Sequence, residues 1–340
     1  MPKFHIFRES PALFREQILR FWEEYLPGTP AARLDWLEHN PAGPTIWLFA
    51  VEEKTGELAG TISLFPKDLF FDGKKIKAAI LGDYMLHSKY RVFGPALSLL
   101  KAARDYRDQE NFDFLYTIPN AQSKKIVEKA GFRSAGRLYN LMCPQHCDFL
   151  LKKYTGARTA KILEKPLLFA LKLFSQATYA GGKGVYEAID WQNEAFDEFC
   201  HQVHASRTQC TTGEYSLSYL DWRYRQNPEY NFQLITSKRP QGNDLQGFFV
   251  VSEHDHRLEL YDLVSLREET DKAMIREIAA IAGKINCRGI YSMVYQNNPL
   301  LSLLKKCCFF DTKDHAELFT YPENVEAVQY WCFTAADRNI

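Results

Sequence analysis

The chain lacks any apolar run long enough to cross a membrane. Its longest greasy stretch, "PLLFALKLF" (166–174), is short and holds Lys172, whereas a helical span needs about 18 to 20 apolar residues. It lacks excess charge of either sign, with Lys+Arg and Asp+Glu both at 42, so no global field draws it to nucleic acid or membrane and no nucleic acid is expected as a partner. The opening "MPKFHIFRES" has no export-signal core, and none of the eight cysteines forms a Cys-x-x-Cys pair. Reduced thiols in a cytoplasmic protein are therefore expected rather than a disulfide framework. A metal centre is not expected either. "CPQHC" (143–147) has no second ligand pair at finger-like spacing, His201 and His204 have no third ligand nearby, and "SEHDHR" reads as a polar hairpin turn.

What is present is an ordinary globular composition, 46% hydrophobic and 25% charged, over 340 residues, enough for two domains. The chain also contains itself twice. "LDWLEHNP" (34–41) returns as "LDWRYRQNP" (220–228), and "NAQSKKIVEKAGF" (120–132) is answered by "NPLLSLLKKCCFF" (298–310). Asn120 and Asn298 stand 178 positions apart, as do Pro144 and Pro322. Several matches in one order at nearly one spacing argue for tandem copies of a domain.

Each copy reads as α/β, a mixed sheet flanked by helices. Helical spacing marks 11–26 and 32–39, and alternation marks strands at 45–53, 57–65 and 75–87. A helix from about Gly94 to Tyr106, a strand at 112–119, the Asn120 helix and a strand at 133–143 close the first copy. The second copy repeats this with helices at 194–206, 271–285 and after Asn298, and strands at 231–237, 247–253, 258–266 and 289–296. The expected partition is 1–145, a connector over 146–184 and 185–340. From Lys152 to Lys172 the connector carries six basic residues and one acid, Glu164. The expectation is a helix whose apolar face packs on the domains, with "GGKG" (181–184) as a hinge. Contact with an anionic membrane surface through 152–172 is the other reading.

"SKYRVFGPALSLL" (88–100) is a loop turning into a helix. A helix N-terminus offers unpaired N–H groups and the positive end of the dipole. Gly94 lets an anion approach the backbone, Arg91 adds charge, and Pro95 suits the first helical position, where its missing N–H has no helical partner.

With "GDYMLH" before it and "PNAQSKKIVEKAGF" after it, this stretch resembles the GNAT superfamily of acetyl-coenzyme A dependent N-acyltransferases, in tandem form. "YRVFGPA" matches the family's pyrophosphate loop at Arg91, Gly94 and Ala96. The resemblance covers about residues 1–145 and implies a cytoplasmic acetyltransferase with acetyl-CoA as co-substrate and no metal. It implies cofactor contacts from Arg91, Val92, Phe93, Gly94 and Ala96. A main-chain N–H near Leu86 would polarise the thioester carbonyl, and Asn120 would position the pantetheine arm or serve as a plain helix N-cap. In the family an amine attacks the thioester directly in a ternary complex. Asp83, Tyr84 and His87 on the central strand are the catalytic candidates, with Asp83 and His87 on one face and Tyr84 on the other. Val127 occupies the family's usual tyrosine position, which leaves the general acid open. Tyr116, Trp222, Arg223 and Tyr224 are candidates for the acceptor, a small-molecule or sugar amine. The second copy has Glu268, Glu269 and Asp271 where the first has its loop, so one cofactor site is expected. A non-catalytic module that binds coenzyme A or a partner is the alternative.

Overall fold

The computed structural model describes residues 3–338 apart from 92, 148–150, 153–154, 156, 176–183 and 241–243. The expected hinge at 181–184 therefore lies almost wholly outside the described residues, and Val92 lies outside them too.

The strands are β1 (Phe4–Arg8), β2 (Ile46–Glu52), β3 (Leu58–Phe71), β4 (Lys74–Leu86), β5 (Phe114–Thr117), β6 (Arg133–Pro144), β7 (Val185–Ala188), β8 (Thr212–Gly213), β9 (Phe232–Lys238), β10 (Leu245–His254), β11 (Arg257–Ser265), β12 (Gly289–Tyr295) and β13 (Phe310–Tyr321). They form one sheet in the order β1-β2-β3-β4-β5-β13-β6-β12-β11-β10-β9-β7, with β8 on β3. The order is a palindrome: β1 to β6 in one half answer β7 and β9 to β13 in the other. The helices are α1 (Arg15–Tyr25), α2 (Ala32–Glu38), α3 (Phe93–Gln109), α4 (Lys124–Lys129), α5 (Ala157–Phe174), α6 (Glu194–Ser206), α7 (Leu217–Leu220), α8 (Glu268–Lys284), α9 (Pro299–Lys306) and a last short turn α10 (Glu326–Gln329). Their order repeats in the same way.

One expectation is corrected at the centre. The strand expected to close the first copy, β6, does not pair with β5. Its residues Leu138–Pro144 pair with Tyr295–Gly289 of β12, while Phe319–Tyr321 of β13 pair with Thr117–Leu115 of β5. The halves thus exchange their last strands, and β6 and β13 pair with each other in the middle. Every central strand finds two ladder partners, so no edge is left at the junction.

One face of the sheet carries a core that runs through both halves, including Trp22, Trp36, Phe49, Trp222, Phe248 and Trp331. The other face carries two separate cores, under α3 and α4 and under α8 and α9. The repeated Leu-Asp-Trp segments meet across the junction. Trp36 Nε1 donates to the Trp222 carbonyl at 2.8 Å and Trp222 Nε1 donates to the Trp36 carbonyl at 2.9 Å. Their rings stack with centroids 4.6 Å apart. Each bond contributes about 1 kcal/mol net, and the ring pair roughly 0.5 to 1.5 kcal/mol beyond its burial.

The connector departs from expectation as well. Only a narrow side of α5 faces inward: Ala160 is buried, and Leu168 and Leu171 line a cavity of about 390 Å³ together with Ile275, Ala279 and Gly283 of α8. The wider apolar side faces out.

Candidate active site

The sheet opens where β4 and β5 part. Their parallel pairing is confined to Ala78–Ile80 with Phe114–Tyr116. Beyond Ile80 the β5-side edge of β4 has no ladder partner among the described residues, which leaves the two strands splayed. His87 N–H donates back to the Ala59 carbonyl at 2.9 Å, on the β3 side. Alternation therefore points the Leu86 N–H at the opposite edge, into the cleft between the splayed strands.

A bulge re-aims the strand just before this point. Between Ser63–Gly82 and Thr61–Met85 pairing, β4 spends one more residue than β3, and Asp83 takes φ 44°, a conformation aspartate tolerates better than most residues. Gly60 lies opposite: a Cβ there would sit 2.6 Å from the Met85 carbonyl oxygen. The bulge turns Asp83 toward α1 and α2. Its Oδ1 accepts from Trp22 Nε1 at 3.1 Å and from Arg33 at 2.9 Å, and its Oδ2 accepts from the Ser63 hydroxyl at 3.2 Å. Arg33 is itself buried, stacks on Trp22 at 5.0 Å and forms a second ion pair with Glu229. Burial pushes the Glu229 carboxyl above its usual range, and the Asp83 charge adds to the effect.

Tyr84 points to the other face, into the α3 core, as alternation predicts. Its hydroxyl is buried without a hydrogen-bond partner among the described residues, and burial pushes its pKa up. Val127 belongs to the same core. His87 lies at the end of β4 between Phe21 and Tyr90, and its Nδ1 accepts the Lys89 N–H at 3.3 Å. In a neutral ring that leaves the proton on Nε2, a donor rather than a base.

The loop is clamped at its start, where Lys89 Nζ and the Tyr90 hydroxyl both donate to Glu57 Oε2 at 2.7 Å. Arg91 is exposed and lies 4.7 Å over the Tyr25 ring. Helix α3 begins at Phe93, so Pro95 is third in the helix rather than first. The consequence is unchanged, since the N–H groups of the first three helical positions all lack an intrahelical acceptor. Ala96 is buried. Gly94 is exposed, and a Cβ built on it meets nothing within 4 Å. Asn120 caps a turn: its Oδ1 accepts from Gln122 N at 3.0 Å and Ser123 N at 2.9 Å, and α4 starts only at Lys124.

The four acceptor candidates are committed inside the protein. The Tyr116 hydroxyl donates to the Asp337 carbonyl, Trp222 to Trp36, Arg223 to the Ala336 and Arg338 carbonyls, and Tyr224 to Asp262. All four are buried. These aromatic and basic side chains hold the halves and the C-terminal segment together, and of their polar atoms Arg223 Nε is buried without a hydrogen-bond partner among the described residues. Arg33 and Glu229, which the sequence reading missed, lie 196 positions apart. Only the tryptophan pairing of their two segments hints at their meeting.

The matching cleft of the second half is filled by the chain itself. Residues 331–337 enter where β11 and β12 part. Val294 bridges Thr334, and the Phe333 carbonyl accepts from Tyr295 N at 3.1 Å and Asn298 Nδ2 at 3.2 Å. The Thr334 hydroxyl donates to Asp262, the counterpart of Asp83, at 3.0 Å. At the start of α8, Glu268 and Glu269 pair with Lys272, and burial pushes the Asp271 carboxyl up to about 6. Titration calorimetry with coenzyme A should give one site per chain. A stoichiometry near two would show that the tail and carboxylates do not close the second cleft.

Among the described residues no group of side chains could hold a metal, and no helix is long and apolar enough to cross a membrane.

Residues 10–132 match the Acetyltransferase (GNAT) family, and comparison with curated proteins gives no match. In fold, the chain is similar over 96% of its length to 74% of an Enterococcus faecalis protein described as a probable N-acyltransferase, at TM-score 0.65 and 10% identity. It is similar over 94% of its length to 72% of a GCN5-related N-acetyltransferase from Anabaena variabilis, at TM-score 0.65 and 13% identity. The same share of the chain matches 84% of a Saccharomyces cerevisiae N-myristoyltransferase with bound myristoyl-CoA, at TM-score 0.60 and 11% identity. The parted strands, the bulge and the open helix start lie within or beside the segment that matches the GNAT acetyltransferase family, a family of acyltransferase enzymes, and that match spans residues 10–132.

Proposed function

We propose that the chain transfers an acyl group, acetyl in the first instance, from acyl-CoA to an amine by direct attack in a ternary complex. The observation that carries this reading is the cleft edge of β4 opening beside the uncovered start of α3. The pyrophosphate would rest on the N–H groups of Phe93 and Gly94 with Arg91 nearby, and the thioester carbonyl would meet the Leu86 N–H. Tyr84 supplies the proton to the leaving thiolate in place of the missing tyrosine at Val127. Its hydroxyl has no hydrogen-bond partner among the described residues. Glu229 is a better proton acceptor than Asp83, whose carboxylate already takes three donors. The pantetheine arm would run past Asn120. The acceptor is an amine on a small molecule or sugar, received on the α1–α2 side between the halves.

Free-thiol release from acetyl-CoA and longer acyl-CoAs, across a panel of amines and amino sugars, tests the reading. The longer donors belong in the panel because one fold relative is described with bound myristoyl-CoA. Turnover that depends on the amine, and falls about a hundredfold or more in Tyr84→Phe, is the expected result. Tight coenzyme A binding with no turnover on any amine would favour the non-catalytic module, for which the apolar Val127 speaks.

A further inference from the structure

Twelve large hydrophobic residues stand exposed among the described residues, and six of them lie on α5: Ile162, Leu163, Leu167, Phe169, Leu173 and Phe174. Ile162, Phe169 and Phe174 are 73%, 65% and 80% exposed. The helix is not held by this surface. Its inward side carries Ala160, Leu168 and Leu171, and Glu164 accepts the Cys147 N–H at 3.0 Å. At about 3.6 residues per turn, Ile162, Pro166, Phe169 and Leu173 stack on the side opposite to that contact. Leu163, Leu167 and Phe174 extend this surface along one border. Positions 158 and 165, which are Arg158 and Lys165 and are both exposed, follow the other border. The helix thus presents an apolar ridge with a basic flank on its solvent side.

We infer that α5 lies on the surface of an anionic phospholipid bilayer, with the Ile162–Phe169–Leu173 ridge in the acyl boundary and the basic flank at the headgroups. Charge complementarity selects this occupant. A ridge of large apolar side chains bordered by like positive charges suits a surface that is apolar beneath and anionic above. Pro166 sets the depth. It removes the helical donor that would meet the Ile162 carbonyl, and that carbonyl needs the water and headgroups of the interface rather than dry hydrocarbon. The globular halves remain on the aqueous side, which places the cleft of the first half near acceptors held at a membrane.

Sedimentation of the full-length protein with phosphatidylcholine vesicles, with and without phosphatidylserine, tests this. Binding is expected with phosphatidylserine and should weaken as salt is raised. Phe169→Glu with Leu173→Glu should lower it at least tenfold, since each change withdraws a large apolar side chain and adds repulsion. Lys165→Glu should lower it about fivefold or more, a basic contact being worth about 1 kcal/mol. Leu26→Glu, another exposed apolar position off this helix, should change nothing. Circular dichroism and denaturation midpoints matching the parent confirm that each variant is folded. No binding to either vesicle, or binding that survives the double substitution, overturns the inference. So does a double variant that turns a self-associating protein monomeric without vesicle binding ever having been seen, which would assign the ridge to a second copy of the chain.

Discussion

Gly94→Asp should abolish coenzyme A binding and leave the protein folded. The two halves of that expectation rest on different observations. Folding is spared because the position is exposed and a Cβ there meets nothing within 4 Å. A carboxylate in the first turn of α3 also complements the helix dipole. Binding is lost because the new carboxylate stands where the pyrophosphate would approach the bare amides. Repulsion between like charges at contact is on the order of 1 to 4 kcal/mol per pair, depending on exposure, and a pyrophosphate offers more than one such partner. Titration calorimetry should show affinity lowered by at least a hundredfold, with an unchanged denaturation midpoint. Gly94→Ala, which adds volume without charge, should lose much less. Parent-like affinity in Gly94→Asp would remove residues 91–96 from the cofactor site.

The largest effect on stability is expected at Arg33. This guanidinium is buried and joins Asp83 from its own half to Glu229 of the other. Arg33→Met keeps much of the apolar stem but leaves the buried Asp83 and the part-buried Glu229 without their shared cation. Breaking one side of a buried pair costs about 3 to 5 kcal/mol, because the remaining charge is left uncompensated. Arg33→Lys should fall between, since an ammonium cannot reach two carboxylates with a rigid fork. The pH dependence gives the sign. Burial already displaces the Glu229 carboxyl upward, and losing the Arg33 charge that opposes this should raise it further in the folded protein. A raised folded-state pKa means the native form binds more protons between the unfolded and folded values. The variant therefore loses stability as pH rises through that window, and its deficit against the parent should shrink toward acid. Denaturant unfolding at several pH values reads this directly. A deficit below about 1 kcal/mol at neutral pH would mean that water reaches the site and the pair is not truly buried.

Much of the local geometry of the first half's candidate site was legible in the sequence because it depends on local pattern. Alternation placed Asp83 and Tyr84 on opposite faces of β4, and the Arg-x-x-Gly stretch opens a helix whose glycine proves to be uncovered. Short-range chemistry also located Asn298 as an N-cap, accepting from Leu300 N at 2.9 Å. Where the reading erred locally, it erred by a turn: Asn120 caps residues ahead of α4 rather than α4 itself, and Pro95 is third rather than first in α3.

Tertiary structure decided everything that depends on which distant segments meet. A period-2 pattern says that 133–144 is a strand, but not whether its ladder partner is β5 or β12, because backbone N–H and C=O groups are alike along every strand. The exchange of β6 and β13 is invisible for that reason. Trp222, Arg223 and Tyr224 have the composition of an acceptor site, and only the packing of the two Leu-Asp-Trp segments turned them into the joint between the halves. The same packing brought Glu229 to Arg33. The amphipathic period of α5 established that the helix has an apolar surface. Only the fold decided that its narrow side turns toward α8 across a shared cavity and leaves the broad one to the outside, because a helix carries no local record of which flank its neighbours will face.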